Sequence, residues 1–215
     1  MDVFMTEMRN KEILWPSAKG DVRIRCLCNP EEIRRYTFDS QFRIYPHYRS
    51  LYTKRKSLEQ LAEDSGANIV LALADRRHII GFGVLAYPES DERWAALGPK
   101  IMMEVKAIEV ARRWRSARIA SGIMKMTIAH PQIENKIGYM VGYSWTWDLE
   151  GTKKTAEDYR RMLIRVFEPL GFQEYPTNEP NISLRAENLF MCRVGTNISE
   201  SIRNRFNWLR FGIYQ

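Results

Sequence analysis

Between Asp21 and Leu27, apolar Val22, Ile24 and Cys26 alternate with polar positions after a Lys19-Gly20-Asp21 turn signal, which predicts a first strand. Asn29 followed by Pro30-Glu31-Glu32 reads as an N-cap, a first-turn proline and first-turn acids, and predicts a short helix. Gln41 to Lys56 mixes Arg, Lys and Tyr with no period and reads as loop or irregular helix. Ser57 to Asp64 has helical character, with Gly66 placed to end it. Two apolar runs, Asn68–Ala74 and His78–Tyr87, flank a polar Asp75-Arg76-Arg77 turn and predict an antiparallel pair of central strands. After a loop from Pro88 to Pro99, the stretch Ile101–Val110 alternates and sets Glu104, Lys106, Ile108 and Val110 on one face. Charges inside a central strand are unusual. Ile119, Ile123, Met124 and Met126 then have helical spacing that ends by Pro131, and Ile137–Tyr143 reads as the next strand. Tyr159, Met162, Leu163, Val166, Phe167 and Leu170 form the apolar stripe of an amphipathic helix closed by Gly171, with a strand returning from Phe172. A late strand over Asn188–Val194 and a last helix over Ser199–Leu209 complete the order.

A chain of 215 residues can bury a substantial core, and a single domain over 1–215 is expected, with residues 1–20 as an N-terminal extension. The 33 Lys and Arg against 26 Asp and Glu give a net charge of +7 and a pI near 9.4, which favours anionic ligands or an acidic protein surface. The excess is mild, and no nucleic-acid partner is expected. The basic and aromatic residues of Gln41–Lys56 are of a kind that contacts RNA, but read better as solvated surface. No apolar run approaches the ~20 residues of a membrane helix, so no membrane partner is expected. The start, MDVFMTEMRNKEILWPSAKG, begins with an acidic residue and lacks a long apolar stretch, which argues against a signal peptide and for a cytoplasmic location. Cys26, Cys28 and Cys192 lack metal-ligand spacing and read as reduced thiols, while His47, His78 and His130 are scattered; no metal is expected.

The chemistry concentrates after Val110, where Arg112, Arg113, Arg115 and Arg118 stand immediately before a helix start. A helix start leaves backbone N–H groups unpaired and carries partial positive charge, and guanidinium groups beside it add charge-assisted hydrogen bonds. Such a junction suits the pyrophosphate of a nucleotide-like cofactor.

The order strand, basic loop, helix, strand, helix, Gly-Phe, strand resembles the acetyl-CoA-binding core of the GNAT superfamily of N-acetyltransferases. That family's signature, Gln or Arg, two residues, Gly, one residue, then Gly or Ala, falls on Arg115-Ser116-Ala117-Arg118-Ile119-Ala120; both ends match and the middle glycine does not. A closer resemblance is to the acetoin-utilization acetyltransferases, bacterial enzymes that modify acetyl-CoA synthetase. It is carried by Tyr87-Pro88, Glu92-Arg93-Trp94, Glu104, Ala107-Ile108-Glu109-Val110, Trp145, Trp147-Asp148-Leu149, Gly151, Lys153-Lys154 and Tyr159-Arg160. It continues in Glu179-Pro180, Ile182-Ser183, Asn188, Arg193, Gly195 and Leu209-Arg210-Phe211. The first sixty residues match only loosely. The resemblance implies an α/β (α+β) GNAT fold: a central mixed, mostly antiparallel twisted sheet with a splay between two parallel strands and helices on both faces. The cofactor core would span about 68–175 and a closing strand and helix 176–215.

It also implies a protein-lysine acetyltransferase with acetyl-CoA as co-substrate and acetyl-CoA synthetase as partner; the alternatives are acetylation of a small-molecule amine, or a noncatalytic acetyl-CoA-binding regulator of a partner protein. Backbone groups around Ile108 and Val110 would take the pantetheine arm. The amides of Ser116, Ala117, Arg118, Ile119 and Ala120 would take the pyrophosphate, and Arg112, Arg113 or Arg115 would neutralise phosphate charge. Arg118 would either fold outward over the phosphates or obstruct them, since a Cβ stands where glycine lets backbone approach. Glu104 aligns with the strand glutamate that acts as base, with Glu109 second; the alternative for either is a salt bridge to Lys106 or an arginine. The Val110 N–H would hold the oxyanion. Many GNAT enzymes use a tyrosine before Gly-Phe as acid; Phe167 stands there, which leaves Tyr143, Tyr159 or solvent. Tyr143, Trp145 and Trp147 lie at the substrate end, the two indoles expected on one side, either as a protein-binding surface or as core rings sealing the sheet.

Overall fold

The computed structural model describes residues 11–44, 55–64, 66–75 and 77–214. The chain forms two compact units, one of residues up to Leu85 with Ala107–His130, the other of Ala86–Lys106 with Pro131 onward.

In the first unit the elements are β1 (Glu12–Trp15), β2 (Val22–Arg25), α1 (Pro30–Arg34), β3 (Thr37–Phe38), α2 (Gln41–Ile44), α3 (Arg55–Glu63), β4 (Asn68–Ala74) and β5 (His78–Ala86). The second half of β6 (Met102–Val110) follows, then a 3₁₀ turn over Arg112–Trp114 and α4 (Ile119–Thr127). Strands β1, β2, β4 and β5 pair antiparallel in that order, and β3 lies parallel on β5. The apolar side of α4, Ile119, Ile123 and Met126, is buried with Val22, Ile24, Val70, Ala72 and Ile80. Asn68 is fully buried at the start of β4. Its amide donates to the carbonyls of Met126 (3.0 Å) and Thr127 (2.8 Å) and accepts from the Leu27 N–H (2.8 Å). One side chain thus satisfies two carbonyls at the C-terminal end of α4 that the helix itself leaves open.

The second unit holds the first half of β6, β7 (Ile137–Gly142), α5 (Leu149–Thr152), α6 (Ala156–Phe167), β8 (Gln173–Glu174), α7 (Pro180–Ser183), β9 (Leu189–Val194) and α8 (Glu200–Leu209). Strand β9 pairs antiparallel with β7 along its length, and β8 pairs antiparallel with β9. Strands β6 and β7 run parallel from Met102↔Ile137 to Glu104↔Tyr139, and there the pairing stops although β7 continues to Gly142. The parting of the parallel strands begins at Glu104. Trp94 stacks on Phe190 (4.4 Å) in a core shared with Tyr139, Phe206 and Leu209.

Asn29 makes the expected N-cap, with a full capping box through Glu32, and Gly171 takes the expected left-handed conformation after α6 (φ 84°). Three elements depart from the sequence reading. Residues 12–15, expected as part of an extension, form edge strand β1; it is four residues long and leaves Leu14 67 % exposed, so no burial alternation announced it. The arginine knot opens with a 3₁₀ turn over Arg112–Trp114 that the sequence reading does not contain, while the helix starts at Ile119, immediately after Arg118, as expected. The stretch Gln41–Lys56 opens with α2 and closes with the start of α3, and its centre, with His47, lies outside the described residues. Among the described residues no helix is long and apolar enough to cross a membrane.

Candidate active site

In the first unit, Ala111 donates its N–H to the Ile80 carbonyl (2.8 Å) before the chain turns away from the sheet. Arg115 reaches back with Nε to the Val110 carbonyl (3.0 Å), so that carbonyl, expected near the pantetheine arm, is engaged from within. Arg113, one of three arginines expected to neutralise phosphate charge, pairs its guanidinium with Asp39, whose side chain is fully buried. The Arg113 backbone is held as well, its N–H by the Gln41 amide oxygen (2.6 Å) and its carbonyl by the Lys19 ammonium. Arg113 therefore pins the turn. Arg112 is half-buried in the same turn.

Ser116 and Arg118 both have left-handed backbone, φ 63° and 56°, while Ala117 between them and Ile119 after them are buried. A non-glycine residue there costs about 1 kcal/mol, and anchoring Ala117 and Ile119 in the core offsets it while turning Ser116 and Arg118 outward. Arg118 is the N-cap of α4 and makes no capping side-chain hydrogen bond. Helix geometry leaves the first N–H groups of α4 without intrahelical partners. The turn borders an open cleft of about 490 Å³ lined by Trp15, Pro16, Ser17, Ala18, Ser116, Ala117 and Arg118. These features fit phosphate groups: roomy access, the positive end of a helix, and the backbone shape that glycine supplies in the family signature. Ile108 and Ala120 are half-buried and pack on the unit's core. The β1–β2 wall of the cleft was missed in the sequence, because the Lys19–Arg113 contact joins positions 94 residues apart.

In the second unit, Glu104 sits where the β6–β7 pairing ends, its side chain 19 % exposed. Lys106, two residues on and on the same face, places its ammonium 3.2 Å from Glu104, 3.6 Å from Glu92 and 3.6 Å from Glu89. The salt bridge weighed as the alternative for Glu104 is therefore present. It does not prevent an unusual carboxyl: burial pushes Glu104 up from the ordinary range, Lys106 opposes, and Glu92 and Glu89 add to the rise. Glu92 in turn accepts from the Tyr139 hydroxyl (3.3 Å) and the Glu89 N–H (2.9 Å). Nothing in the local pattern marks Glu89 and Glu92 as site groups, although Glu92-Arg93-Trp94 carries part of the family resemblance. By alternation Glu109 faces the other side of β6.

After β7 the chain leaves strand geometry in a 3₁₀ turn over Ser144–Thr146, and the two indoles take different ring partners. Trp145 stacks on Tyr143 (4.8 Å) and is 46 % exposed, whereas Trp147 stacks on Tyr159 of α6 (5.1 Å). The turn is fixed by Asn188, which accepts from the Ser144 N–H (2.8 Å) and donates to the Asn181 carbonyl (2.8 Å). Burial first, then the carboxylates of Glu179, Glu104 and Glu92, push the Tyr143 phenol up to about 12. Phe167 is buried edge-on against Phe172 and belongs to the core. Among the described residues no group of His, Cys, Asp and Glu is arranged to hold a metal ion.

No family model matches the sequence. The acetoin utilization protein AcuA of Bacillus subtilis (strain 168) is 30% identical over 195 residues, covering 91% of this chain and 91% of that protein. AcuA of Bacillus licheniformis is 30% identical over 193 residues, with 90% of each covered. Among solved structures, an acetoin utilization protein from Exiguobacterium sibiricum 255-15 has a TM-score of 0.85 at 24% identity, covering 94% of this chain and 93% of that one. The GNAT domain of S. lividans PAT has a TM-score of 0.52 at 13% identity, covering 84% and 95%. At those identities the two structures speak to the fold. With its parallel β6–β7 pair that parts at Glu104 and the basic turn ahead of α4, this chain belongs to the AcuA family of acetoin utilization proteins and has the fold of the GNAT acetyltransferases.

Proposed function

We propose that this protein is an N-acetyltransferase that moves the acetyl group of acetyl-CoA to a lysine amine of another protein, and that the protein modified and down-regulated is acetyl-CoA synthetase. The observation that carries the reading is Glu104: a half-buried carboxylate with raised proton affinity, where two parallel strands part, among further carboxylates. A lysine amine has a pKa of ~10.4 and arrives as ammonium. Glu89 and Glu92 beside Glu104 give an acidic locality on a chain of net charge +7, which suits a cation. Glu104 takes the proton; its raised affinity brings it nearer the working pH, where a base is most effective. The freed amine adds to the thioester carbonyl carbon to give a tetrahedral oxyanion, the carbon–sulfur bond breaks as that oxyanion collapses, and the nitrogen gives up its second proton to solvent, from which the phenol that protonates the sulfur is restored. Tyr143, protonated at neutral pH because its phenol lies at about 12, supplies the proton to the departing sulfur. The Val110 N–H is assigned to the oxyanion, and the amides of Ser116–Ala120 with the exposed Arg118 to the diphosphate.

The choice of acetyl-CoA synthetase rests on the resemblance to the acetoin-utilization acetyltransferases. The test is incubation with labelled acetyl-CoA and a purified acetyl-CoA synthetase, with modified lysines mapped by mass spectrometry. Label on a synthetase lysine with loss of its activity is the expected result. An unlabelled synthetase beside labelled small polyamines would replace the protein acceptor with a small-molecule one.

A further inference from the structure

The acetyl-transfer reading leaves Lys106 without a task. A lysine side chain only 8 % exposed is unusual, because a buried ammonium loses its hydration unless it is paired. Here it is paired three times over, with Glu104 of its own strand and with Glu92 and Glu89 of the segment that precedes β6. The far side of this cluster is anchored. Glu92 accepts from the Tyr139 hydroxyl at one oxygen and from the Glu89 N–H at the other. Tyr139 is fully buried and is the Cα partner of Glu104 across the β6–β7 pair. Arg93, next in the chain, donates to the Asn178 side chain (2.7 Å) and the Arg210 carbonyl (3.1 Å), which holds the segment to the C-terminal part of the same unit. The ammonium is thus located by groups other than Glu104, and Glu104 is located by the ammonium.

We propose that Lys106 is a positioning residue for acetyl transfer: held by Glu92 and Glu89, its ammonium fixes the Glu104 carboxylate in place and keeps it ionised to receive a proton. This rests on the reading of Glu104 as the base. The charged and titratable groups around Glu104 are Lys106 on β6, Glu89 and Glu92 on the preceding segment, Tyr139 on β7 and Tyr143 on the turn after it. Tyr139 and Tyr143 are neutral phenols, Glu89 and Glu92 carry the negative charge that disfavours an ionised Glu104, and Lys106 favours it.

The sign follows. With Lys106→Met, the carboxyl holds its proton to a higher pH, and the acid limb of the rate–pH profile moves to the alkaline side by about 1–3 units, the range an opposite charge at this distance exerts. On that limb each unit is about tenfold in rate, recovered as pH rises. Lys106→Arg keeps the charge and restores most of the limb's position. Adding Glu92→Gln to Lys106→Met removes one repelling carboxylate and moves the limb partway back; this double variant also relieves the unpaired acids should Lys106→Met alone fold poorly. Carbon-13 labelling of the glutamate carboxyls, with Glu104 assigned through Glu104→Gln, reads the same titration by NMR without turnover. A uniform loss of rate in Lys106→Met, with the limb and the Glu104 resonance titrating as in wild type, overturns the proposal while leaving Glu104 as base. Unchanged transfer in Glu104→Gln removes the base reading, and the role of Lys106 with it.

Discussion

Arg118 occupies the position where the family signature has glycine, and replacing it with glycine separates what the backbone wants from what the side chain does. At φ 56° and ψ 17° the residue lies in the left-handed region. Relief of that strain is worth about 1–2 kcal/mol, and the extra freedom that glycine brings to the unfolded chain takes back about 0.5–1 kcal/mol. Arg118→Gly therefore leaves the protein as stable as before or more stable by up to about 1.5 kcal/mol. Arg118→Val, β-branched in a conformation such residues rarely take, loses stability by at least about 1 kcal/mol. Binding goes the other way. The guanidinium is exposed at the rim of the cleft beside the start of α4, and a hydrogen bond from it to a phosphate would be worth about 1.5–3 kcal/mol before solvent screening. Exposure brings this towards the lower end, so coenzyme A binds about tenfold more weakly to Arg118→Gly, and the gap narrows with added salt. Thermal melts and calorimetric titration with coenzyme A at two ionic strengths measure both. Tighter binding in Arg118→Gly would refute the reasoning and identify the guanidinium as an obstruction.

Tyr143→Phe removes the phenol assigned to the departing sulfur while keeping the ring that stacks on Trp145; kcat falls by about a hundredfold with coenzyme A affinity unchanged, and an unaltered kcat in single-turnover assays would pass the acid role to Tyr159 or solvent. Gly122→Ala tests the β1 wall: the new Cβ would stand 2.6 Å from Ile24 Cδ1 and 2.7 Å from the Trp15 ring. The isoleucine methyl can rotate, but the indole must retreat, so overpacking of about 1–3 kcal/mol outweighs the ~1 kcal/mol of helix propensity gained. Denaturant titration should find a net loss of about 1 kcal/mol, together with weaker coenzyme A binding because Trp15 lines the cleft.

Most strands and helices beyond Asp21 were legible because local pattern and burial agree. Both strands of the β4–β5 hairpin are buried almost throughout, as their apolar runs require. Gly171 had a backbone role that its neighbours announced. Edge strand β1 was not legible, since its partner β2 and not its own pattern makes it a strand. Within the site, Glu104 and Lys106 could be placed on one strand face from spacing alone. Spacing could not say that Glu89 and Glu92 fold over the same ammonium, nor that Arg113 spends its charge on Asp39, 74 positions earlier. Arginines crowded at a helix start look alike in sequence; long-range partners decide which of them face a ligand. The two indoles illustrate the same limit, because a 3₁₀ turn, invisible to alternation, sends Trp145 to Tyr143 and Trp147 to Tyr159.

The most direct measurement is the rate of coenzyme A thiol release from acetyl-CoA, with a lysine-bearing acceptor, as a function of pH for the wild-type chain and Glu104→Gln. Because burial raises the Glu104 carboxyl, the rate in wild type should climb with pH through a midpoint above the usual carboxylate range of about 4.3. In Glu104→Gln that limb should vanish and the rate drop by about a hundredfold or more, with coenzyme A binding retained. Equal rates and the same acid limb in both proteins would contradict the account.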